Sequence, residues 1–291
     1  MKDQADLLRR RMKEKESQTE AKTIAIVSGK GRVGKSAFCM NFALELIKRN
    51  KKVLLFDLDI GMGNSDLLMG KTAKHRIVDL FRGRLSIPDI IELGPESLSY
   101  IAAGSGLSQI FTSDYFKFAS FQREFEKITR PFDYILFDMG AGTSQDRLNF
   151  ISSAHEAIVV TTPDPTSLTD SYAMIKQLVD KGRDVPIKIL VNRARSESLG
   201  KTTYSRLSFV AKKFLHVDVS LLGILPDDRA VLQALHHHKP FVLHQPNSKV
   251  SQSLSRIVVE YVEDSKKVEL STSFMDKLKR FVFARVGNEE G

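Results

Sequence analysis

The most informative stretch of the sequence is a short apolar run followed by a glycine-rich loop, Thr23-Ile-Ala-Ile-Val-Ser-Gly-Lys-Gly-Arg-Val-Gly-Lys-Ser36. A nearly continuous apolar run of four to five residues is typical of a strand that is buried on both faces. The apolar segment after Ser36 predicts a helix. A strand, a glycine-rich loop and a helix in this order predict an α/β fold with the loop at the carboxyl end of the strand.

The same alternation continues along the chain. Further strand-like runs are Val53-Leu-Leu-Phe56, Tyr134-Ile-Leu-Phe137, Ala157-Ile-Val-Val160 and Ile187-Lys-Ile-Leu-Val191. Between them, amphipathic segments predict helices near residues 35–49, 114–129, 166–181 and 201–215. This rhythm predicts a mostly parallel sheet flanked by helices over residues 22–263. Together with the glycine-rich loop after the first strand, it predicts a single P-loop NTPase domain. Residues 1–21 and 264–291 fall outside the rhythm and are predicted to be N-terminal and C-terminal helical appendages.

The composition excludes several classes of protein. The chain has 291 residues, of which 42% are hydrophobic and 27% charged, as in soluble globular proteins. No window has the roughly 18 uncharged apolar residues of a membrane span, and no signal peptide is evident. The single cysteine, Cys39, cannot form an internal disulfide, which fits the cytoplasm. The net charge of +9 favours anionic partners.

The loop fits the pattern G-x-x-x-x-G-K-[ST], in which backbone N–H groups and a helix start surround phosphate oxygens. The lysine of the pattern reaches the β- and γ-phosphates, and the hydroxyl that follows is a ligand for Mg²⁺. The predicted nucleotide-binding residues in the loop are Gly29, Gly31, Arg32, Val33, Gly34, Lys35, Ser36 and Ala37.

Carboxylates follow two further strands. Asp57 and Asp59 end the second strand, and Asp138 ends the Tyr134 strand before Gly140. Side chains at the carboxyl ends of parallel strands face the ligand crevice, although two aspartates there are equally often solvated. A strand that closes in aspartate and glycine is typical of a Walker B magnesium site. The predicted metal ligands, some through water, are Ser36, Asp57 and Asp138.

The loop is similar to the deviant Walker A motif K-G-G-x-G-K-[ST] of the MinD/ParA family of ATPases. The resemblance implies that Lys30 crosses an ATP-dependent homodimer to the partner's phosphates, opposite an aspartate matched here by Asp170. Lys30, Lys35 and Asp59 are the implied catalytic residues, with Asp59 orienting the attacking water. Arg32 departs from the family glycine; an arginine adopts positive φ only at a cost, so either the backbone is ordinary there or nucleotide binding is weakened.

Two loops are candidates for the base end of the site. Asn192 and Arg193 close one strand, and Pro226 and Asp227 close another. An asparagine after a strand is usually a turn former, although its amide can also hydrogen-bond an adenine edge. The family resemblance implies adenine contact for both loops.

The C-terminal segment has an amphipathic pattern with an apolar face bordered by Lys277 and Lys279. Such a helix can lie in an anionic membrane surface, or it can pack as a terminal helix on the domain. A helix this short binds weakly alone, so attachment would need a dimer. The candidate membrane residues are Phe274, Met275, Leu278, Phe281 and Val282.

The N-terminal segment begins with Asp3-Gln4-Ala5-Asp6-Leu7-Leu8-Arg9. This matches the D-Q-A-x-x-L-R element of the flagellar MinD-like ATPases of the FlhG, YlxH and FleN subfamily. The resemblance implies that Gln4, Leu8 and Arg9 stimulate the GTPase FlhF, and that the ATPase contacts flagellar C-ring switch proteins. Composition alone predicts a solvated tail.

The leading hypothesis is a cytoplasmic ATPase that uses ATP, ADP and Mg²⁺, dimerises with ATP and associates peripherally with the inner face of the cell membrane. It would regulate flagellar number or placement, and no specific nucleic acid is expected as a partner. The alternatives are a ParA-like DNA-partitioning ATPase and a nucleotide-binding scaffold without turnover. Salt-sensitive retention on DNA would favour the partitioning ATPase. Nucleotide binding without phosphate release would favour the scaffold.

Overall fold

The computed structural model describes residues 20–58, 73–81, 85–102, 115–140, 144–180, 184–265 and 272–289. Within these residues the strands form one mostly parallel sheet of eight strands. The strands are β1 (Lys22–Val27), β2 (Val53–Leu58), β3 (Glu92–Leu93), β4 (Ser99–Ile101), β5 (Tyr134–Met139), β6 (Glu156–Thr161), β7 (Ile187–Ala194) and β8 (Ser220–Pro226).

The order of the strands across the sheet is β3-β4-β2-β5-β1-β6-β7-β8. Neighbouring strands in the described part are parallel, except that β3 runs antiparallel to β4. Because β1 lies between β5 and β6, the loop after β1 lies near the middle of the sheet, at the carboxyl ends of the parallel strands. The carboxyl end of β5 lies beside this loop. This confirms the predicted α/β class with a mostly parallel sheet.

Helices cover both faces of the sheet. They are α1 (Lys35–Ile47), α2 (Ile77–Phe81), α3 (Tyr115–Thr129), α4 (Gln145–Ser153), α5 (Pro165–Val179), α6 (Glu197–Leu215), α7 (Arg229–His236), α8 (Phe241–His244), α9 (Lys249–Ser265) and α10 (Phe274–Glu289). Buried residues of α1, α7, α8 and α9 pack on one face, and those of α3, α4, α5, α6 and α10 pack on the other. Strands β2, β5 and β6 are buried at every position, which explains their unbroken apolar runs.

The first turn of α10 is part of the core. Phe274, Met275 and Leu278 are at most 1% exposed. The Phe274 ring lies 5.1 Å from the rings of Phe125 and Phe137, measured between centroids. The structure therefore places these three predicted membrane residues against the domain, which is the packed alternative, because aromatic side chains of α3 and β5 cover the apolar face. Phe281 is half-buried, and the side chain of Val282 lies outside the described part.

A buried histidine ties the start of α10 to the amino end of the sheet. His155 Nδ1 accepts a hydrogen bond of 3.0 Å from the backbone N–H of Thr23, so the proton of the neutral ring lies on Nε2. Nε2 donates to the carbonyl oxygen of Thr272 at 3.1 Å. Burial lowers the pKa of His155 to about 4, and the positive charge of Lys277 adds to this effect. The ring is therefore a neutral structural link at physiological pH.

None of the described helices is both long enough and apolar enough to cross a membrane.

Candidate nucleotide-binding site

Two glycines shape the loop between β1 and α1 because neighbouring groups leave no room for a side chain. A Cβ at Gly29 would lie 2.0 Å from the carbonyl oxygen of Asp170. Gly34 has a φ of 89°, and a Cβ there would lie 2.4 Å from Nδ2 of Asn192. Glycine has no Cβ, so it avoids these close contacts and adopts the positive φ of residue 34 at low cost. By contrast, nothing lies within 4 Å of a Cβ built at Gly31.

Arg32 adopts the left-handed conformation, with a φ of 64°. This conformation costs an L-residue with a Cβ about 1–2 kcal/mol. The sequence analysis offered either an ordinary backbone conformation at Arg32 or weakened nucleotide binding. The first of these two predictions is therefore wrong. The side chain of Arg32 is exposed.

The start of α1 is suited to an anion. Its N-cap, Gly34, provides no side-chain hydrogen bond, and the first turn contains no acidic residue. The first free N–H groups of a helix and its positive dipole end attract phosphate when no side chain caps them. Lys35, Ser36 and Ala37 begin this helix. The residues present therefore fit a nucleotide phosphate.

Lys35 and Asp138 form a buried ion pair directly beside this helix start; their side chains are 9% and 2% exposed. Lys35 Nζ also lies 3.4 Å from the Ser36 hydroxyl oxygen. Asp57 on β2 is in register with Asp138 on β5, so two buried carboxylates lie side by side at the sheet edge. Oxygen ligands of this kind suit Mg²⁺, which usually completes its shell with water and substrate phosphates.

The described residues contain no group of three His, Cys, Asp or Glu side chains that could hold a metal without further ligands. A magnesium ion here would therefore depend on nucleotide and water oxygens. Cys39 lies close by and is buried. Burial raises the pKa of the Cys39 thiol well above its usual value, and the negative charge of Asp138 raises it further. The thiol is therefore neutral and packs as a small apolar group.

Lys30 lies on the exposed side of the loop and contacts the start of α5. Its Nζ donates to Asp164 Oδ2 at 3.1 Å and to Thr166 Oγ1 at 2.5 Å. The Thr166 hydroxyl and Lys30 together lower the pKa of Asp164. The sequence analysis chose Asp170, and not Asp164 of the same segment, as the aspartate opposite Lys30; the signal that favoured Asp164 was its position at the N-cap of the helix after β6. The backbone carbonyl group of Asp170 lies against Gly29.

The two loops predicted for the base end lie together at the ends of β7 and β8. Asn192 Nδ2 donates to the carbonyl oxygen of Val33 at 2.8 Å, and so braces the phosphate loop. The backbone N–H of Arg193, whose φ is 54°, donates to Asn192 Oδ1 at 2.9 Å. The backbone N–H of Asp227, next to Pro226, donates to the carbonyl oxygen of Ala194 at 3.0 Å. The bracing contact of Asn192 was not predicted.

Some predicted residues lie outside the described part of the chain. These are Asp59, predicted to orient water, and the N-terminal residues Gln4, Leu8 and Arg9. The structure brings together Gly29, Lys30, Gly34, Lys35, Ser36, Asp138 and Asn192 at one edge of the sheet.

Known proteins resemble this chain over most of its length. A family model described as ParA, NUBPL iron-transfer P-loop NTPase, matches residues 19–262. The chain is 31% identical to the antiactivator FleN of Pseudomonas aeruginosa over 246 residues, which are 84% of this chain and 88% of FleN. It is also 31% identical to the flagellum site-determining protein YlxH of Helicobacter pylori over 249 residues, or 81% of this chain and 80% of YlxH.

Among solved structures, the MinC:MinD cell division complex of Aquifex aeolicus contains a similar chain. The TM-score is 0.70 at 25% identity, and the match covers 87% of this chain and 100% of that one. The family model covers more than half of this chain, and the loop between β1 and α1 has the geometry that phosphate binding requires. The chain therefore belongs to the ParA/MinD family of P-loop ATPases.

Proposed function

We propose that this ATPase is a switch in which ATP and Mg²⁺ join two copies across the loop edge of the sheet and hydrolysis separates them. The observation that supports this most directly is the position of Lys30. Its side chain is 43% exposed and contacts Asp164 and Thr166 on the rim of the site. A lysine placed there can exchange these contacts for phosphate oxygens held by a second copy.

Charge compensation within the site supports the proposed role of nucleotide. Lys35 and Asp138 neutralise each other in the structure. Mg²⁺ and a triphosphate supply each of them with a new partner of opposite charge, so neither charge is left buried alone. Ser36 and Asp138, supported by Asp57, would hold Mg²⁺, which neutralises phosphate charge when bound. Asp59 orients the attacking water.

The base of ATP or ADP is proposed to lie between the carboxyl ends of β7 and β8. Asn192 and Arg193 form one side, and Pro226 and Asp227 form the other. The hydrogen bond from Asp227 to Ala194 fixes these two strand ends relative to each other. The Asn192 amide already braces Val33, so a base in this position would be coupled directly to the phosphate loop.

The biological role proposed for the switch is the regulation of flagellar number or placement. The names of two relatives, an antiactivator and a flagellum site-determining protein, support this role. The proposed partners are an FlhF-type GTPase, which residues 1–21 would stimulate through Gln4, Leu8 and Arg9, and flagellar C-ring switch proteins. A peptide of residues 1–21 should raise FlhF GTP hydrolysis; Gln4→Ala should abolish this stimulation, and Ser17→Ala should not.

The protein is proposed to act in the cytoplasm and to attach peripherally to the inner face of the cell membrane. Attachment through Phe274, Met275 and Leu278 requires the first turn of α10 to leave the core. The cost of exposing these side chains makes attachment conditional, and two copies in a dimer would share the membrane contact. Phe281, Val282 and the neighbouring cations would complete that contact.

Sizing by light scattering tests the switch. The wild-type protein should have the mass of one chain with ADP and of two chains with a slowly hydrolysed ATP analogue. Lys30→Ala should stay monomeric with the analogue, whereas Lys201→Ala, which removes an exposed lysine of α6, should behave like the wild type. Normal dimerisation of Lys30→Ala would contradict the proposal.

The alternatives give different results in the same preparation. Dimerisation without phosphate release would favour a scaffold. Salt-sensitive retention on DNA would favour a partition protein. Analogue-dependent sedimentation with anionic liposomes that is lost on truncation at about Ser273, in a truncated protein that still binds nucleotide, would favour membrane attachment through α10.

A further inference from the structure

The phosphate loop contains three cations, and they differ in their partners. Lys30 contacts Asp164, and Lys35 contacts Asp138. Among the described residues, the exposed side chain of Arg32 has neither a hydrogen bond nor an ion pair. The uncompensated charge of the loop is therefore on Arg32.

The backbone at Arg32 adds a second observation. Its φ of 64° is a conformation that glycine adopts without a Cβ clash and that arginine adopts only at a cost. Within the described structure, no hydrogen bond or ion pair of the side chain offsets this cost. Backbone strain of this kind is commonly found at binding sites, where the function compensates for it.

The chemistry of the side chain indicates the ligand. A guanidinium is permanently charged and presents a planar fork of donors that matches two oxygens of a phosphate. It stands in a loop where an uncapped helix start already favours an anion. Both lysines of the loop must leave a carboxylate before they can bind phosphate, but Arg32 need not.

We propose that the guanidinium of Arg32, and not only the backbone of the loop, contacts a phosphate group, an inference that rests on the proposed ATP-dependent switch. The phosphate belongs either to the nucleotide in the same loop or to the nucleotide held by a second copy. In both cases the arginine contributes binding energy that a glycine at this position cannot supply, which is the opposite of the weakened nucleotide binding that the sequence analysis offered for a strained Arg32. The strain in the loop is then offset only when nucleotide is bound.

Substitutions at this position separate the side chain from the strain. Arg32→Ala removes the guanidinium and retains the cost of positive φ, whereas Arg32→Gly removes both. Two controls are matched to these changes. His216→Gly relieves a φ of 56° at the end of α6, far along the chain from the loop, and Arg206→Ala removes an exposed arginine of α6.

The measurements are the melting temperature without nucleotide, the affinity of the dilute monomer for ADP, and the concentration at which the protein dimerises with the ATP analogue. Arg32→Gly and His216→Gly should both melt at a higher temperature than the wild type. Arg32→Ala and Arg32→Gly should lose about tenfold in ADP affinity if the phosphate is in the same loop. If it is in the second copy, they should instead need about tenfold more protein to dimerise. Neither control should change nucleotide binding or dimerisation.

Wild-type ADP affinity together with wild-type dimerisation in Arg32→Gly would overturn the proposal, because arginine would then be only a tolerated source of strain. Failure of the wild-type protein to dimerise would contradict the proposed switch. In that case the ADP measurement alone would decide the role of Arg32: a loss supports it and no loss overturns it.

Discussion

The two ends of β1 differ in the kind of contact that holds the neighbouring chain segments in place. At the carboxyl end, the loop of residues 29–36 is shaped by glycines and presents cations whose partners a ligand can replace. At the amino end, residues 272–278 are held by buried aromatic rings and by a neutral histidine. An exposed ion pair such as that of Lys30 is easily exchanged, whereas buried apolar contacts are lost only at a large cost. The loop can therefore respond to nucleotide directly, and the α10 contact needs a larger input of free energy to open.

The largest expected effect tests the amino end. Phe274→Ala should lower the free energy of unfolding by about 3–5 kcal/mol, because it leaves a cavity among the rings of Phe125, Phe137 and Phe150. Urea denaturation measures this change. Phe209→Ala on α6 is the control, since that ring is 62% exposed and should contribute less than about 0.5 kcal/mol. Similar small losses in both variants would mean that α10 is not docked in solution.

At the carboxyl end, Lys35→Ala should weaken ADP binding by about 100-fold, equivalent to about 2.7 kcal/mol. Lys35 is the predicted phosphate-binding lysine of the loop, and its removal also leaves Asp138 buried without its cation. Titration calorimetry measures the affinity, with Lys201→Ala as the control. A loss below tenfold would show that backbone N–H groups and the start of α1 supply most of the binding.

These two ends also show what a sequence can predict. The loop pattern ties residue identity to a particular backbone path, because Gly29 and Gly34 are required by close contacts and by positive φ. Its position and its phosphate chemistry were therefore predictable. The short strands β3 and β4 were not predicted, since strands of two or three residues have too few positions to show a period.

The amphipathic pattern of α10 is less specific. It indicates that Phe274 and Leu278 share an apolar face, but not whether a membrane or the domain covers that face. Long-range contacts were equally hidden: nothing near Lys30 in the sequence indicates Asp164, and nothing near Asn192 indicates the Val33 carbonyl. Such pairs arise from the strand order, which a single sequence does not specify.

A pH effect tests the link between His155 and Thr272. The folded pKa of about 4 lies below the value of 6.5 expected in the unfolded chain. As pH falls below 6.5, the unfolded chain takes up a proton that the folded chain does not, so stability decreases until about pH 4. The contribution of His155 should be about 2 kcal/mol between pH 7 and pH 5. Urea midpoints at both pH values measure the loss, and His155→Gln should show a correspondingly smaller pH dependence. If the wild type and His155→Gln lost the same stability between pH 7 and pH 5, the His155 ring would be solvated in the folded protein.

The smallest expected effect concerns the rim of the loop, where Lys30 contacts Asp164 and Thr166. Asp164→Asn keeps the shape of the side chain and removes its charge. Because both members of the pair are largely exposed, the free energy of unfolding should not change measurably. In the proposed switch Lys30 must leave this carboxylate to reach a second copy, so the variant should dimerise with the ATP analogue at about two- to threefold lower protein concentration. Light scattering over a dilution series measures this shift, with Asp218→Asn, another exposed aspartate paired with a lysine, as the control. Weaker dimerisation of Asp164→Asn would instead mean that Asp164 itself contacts the second copy, and that the exchangeable partner of Lys30 is the Thr166 hydroxyl.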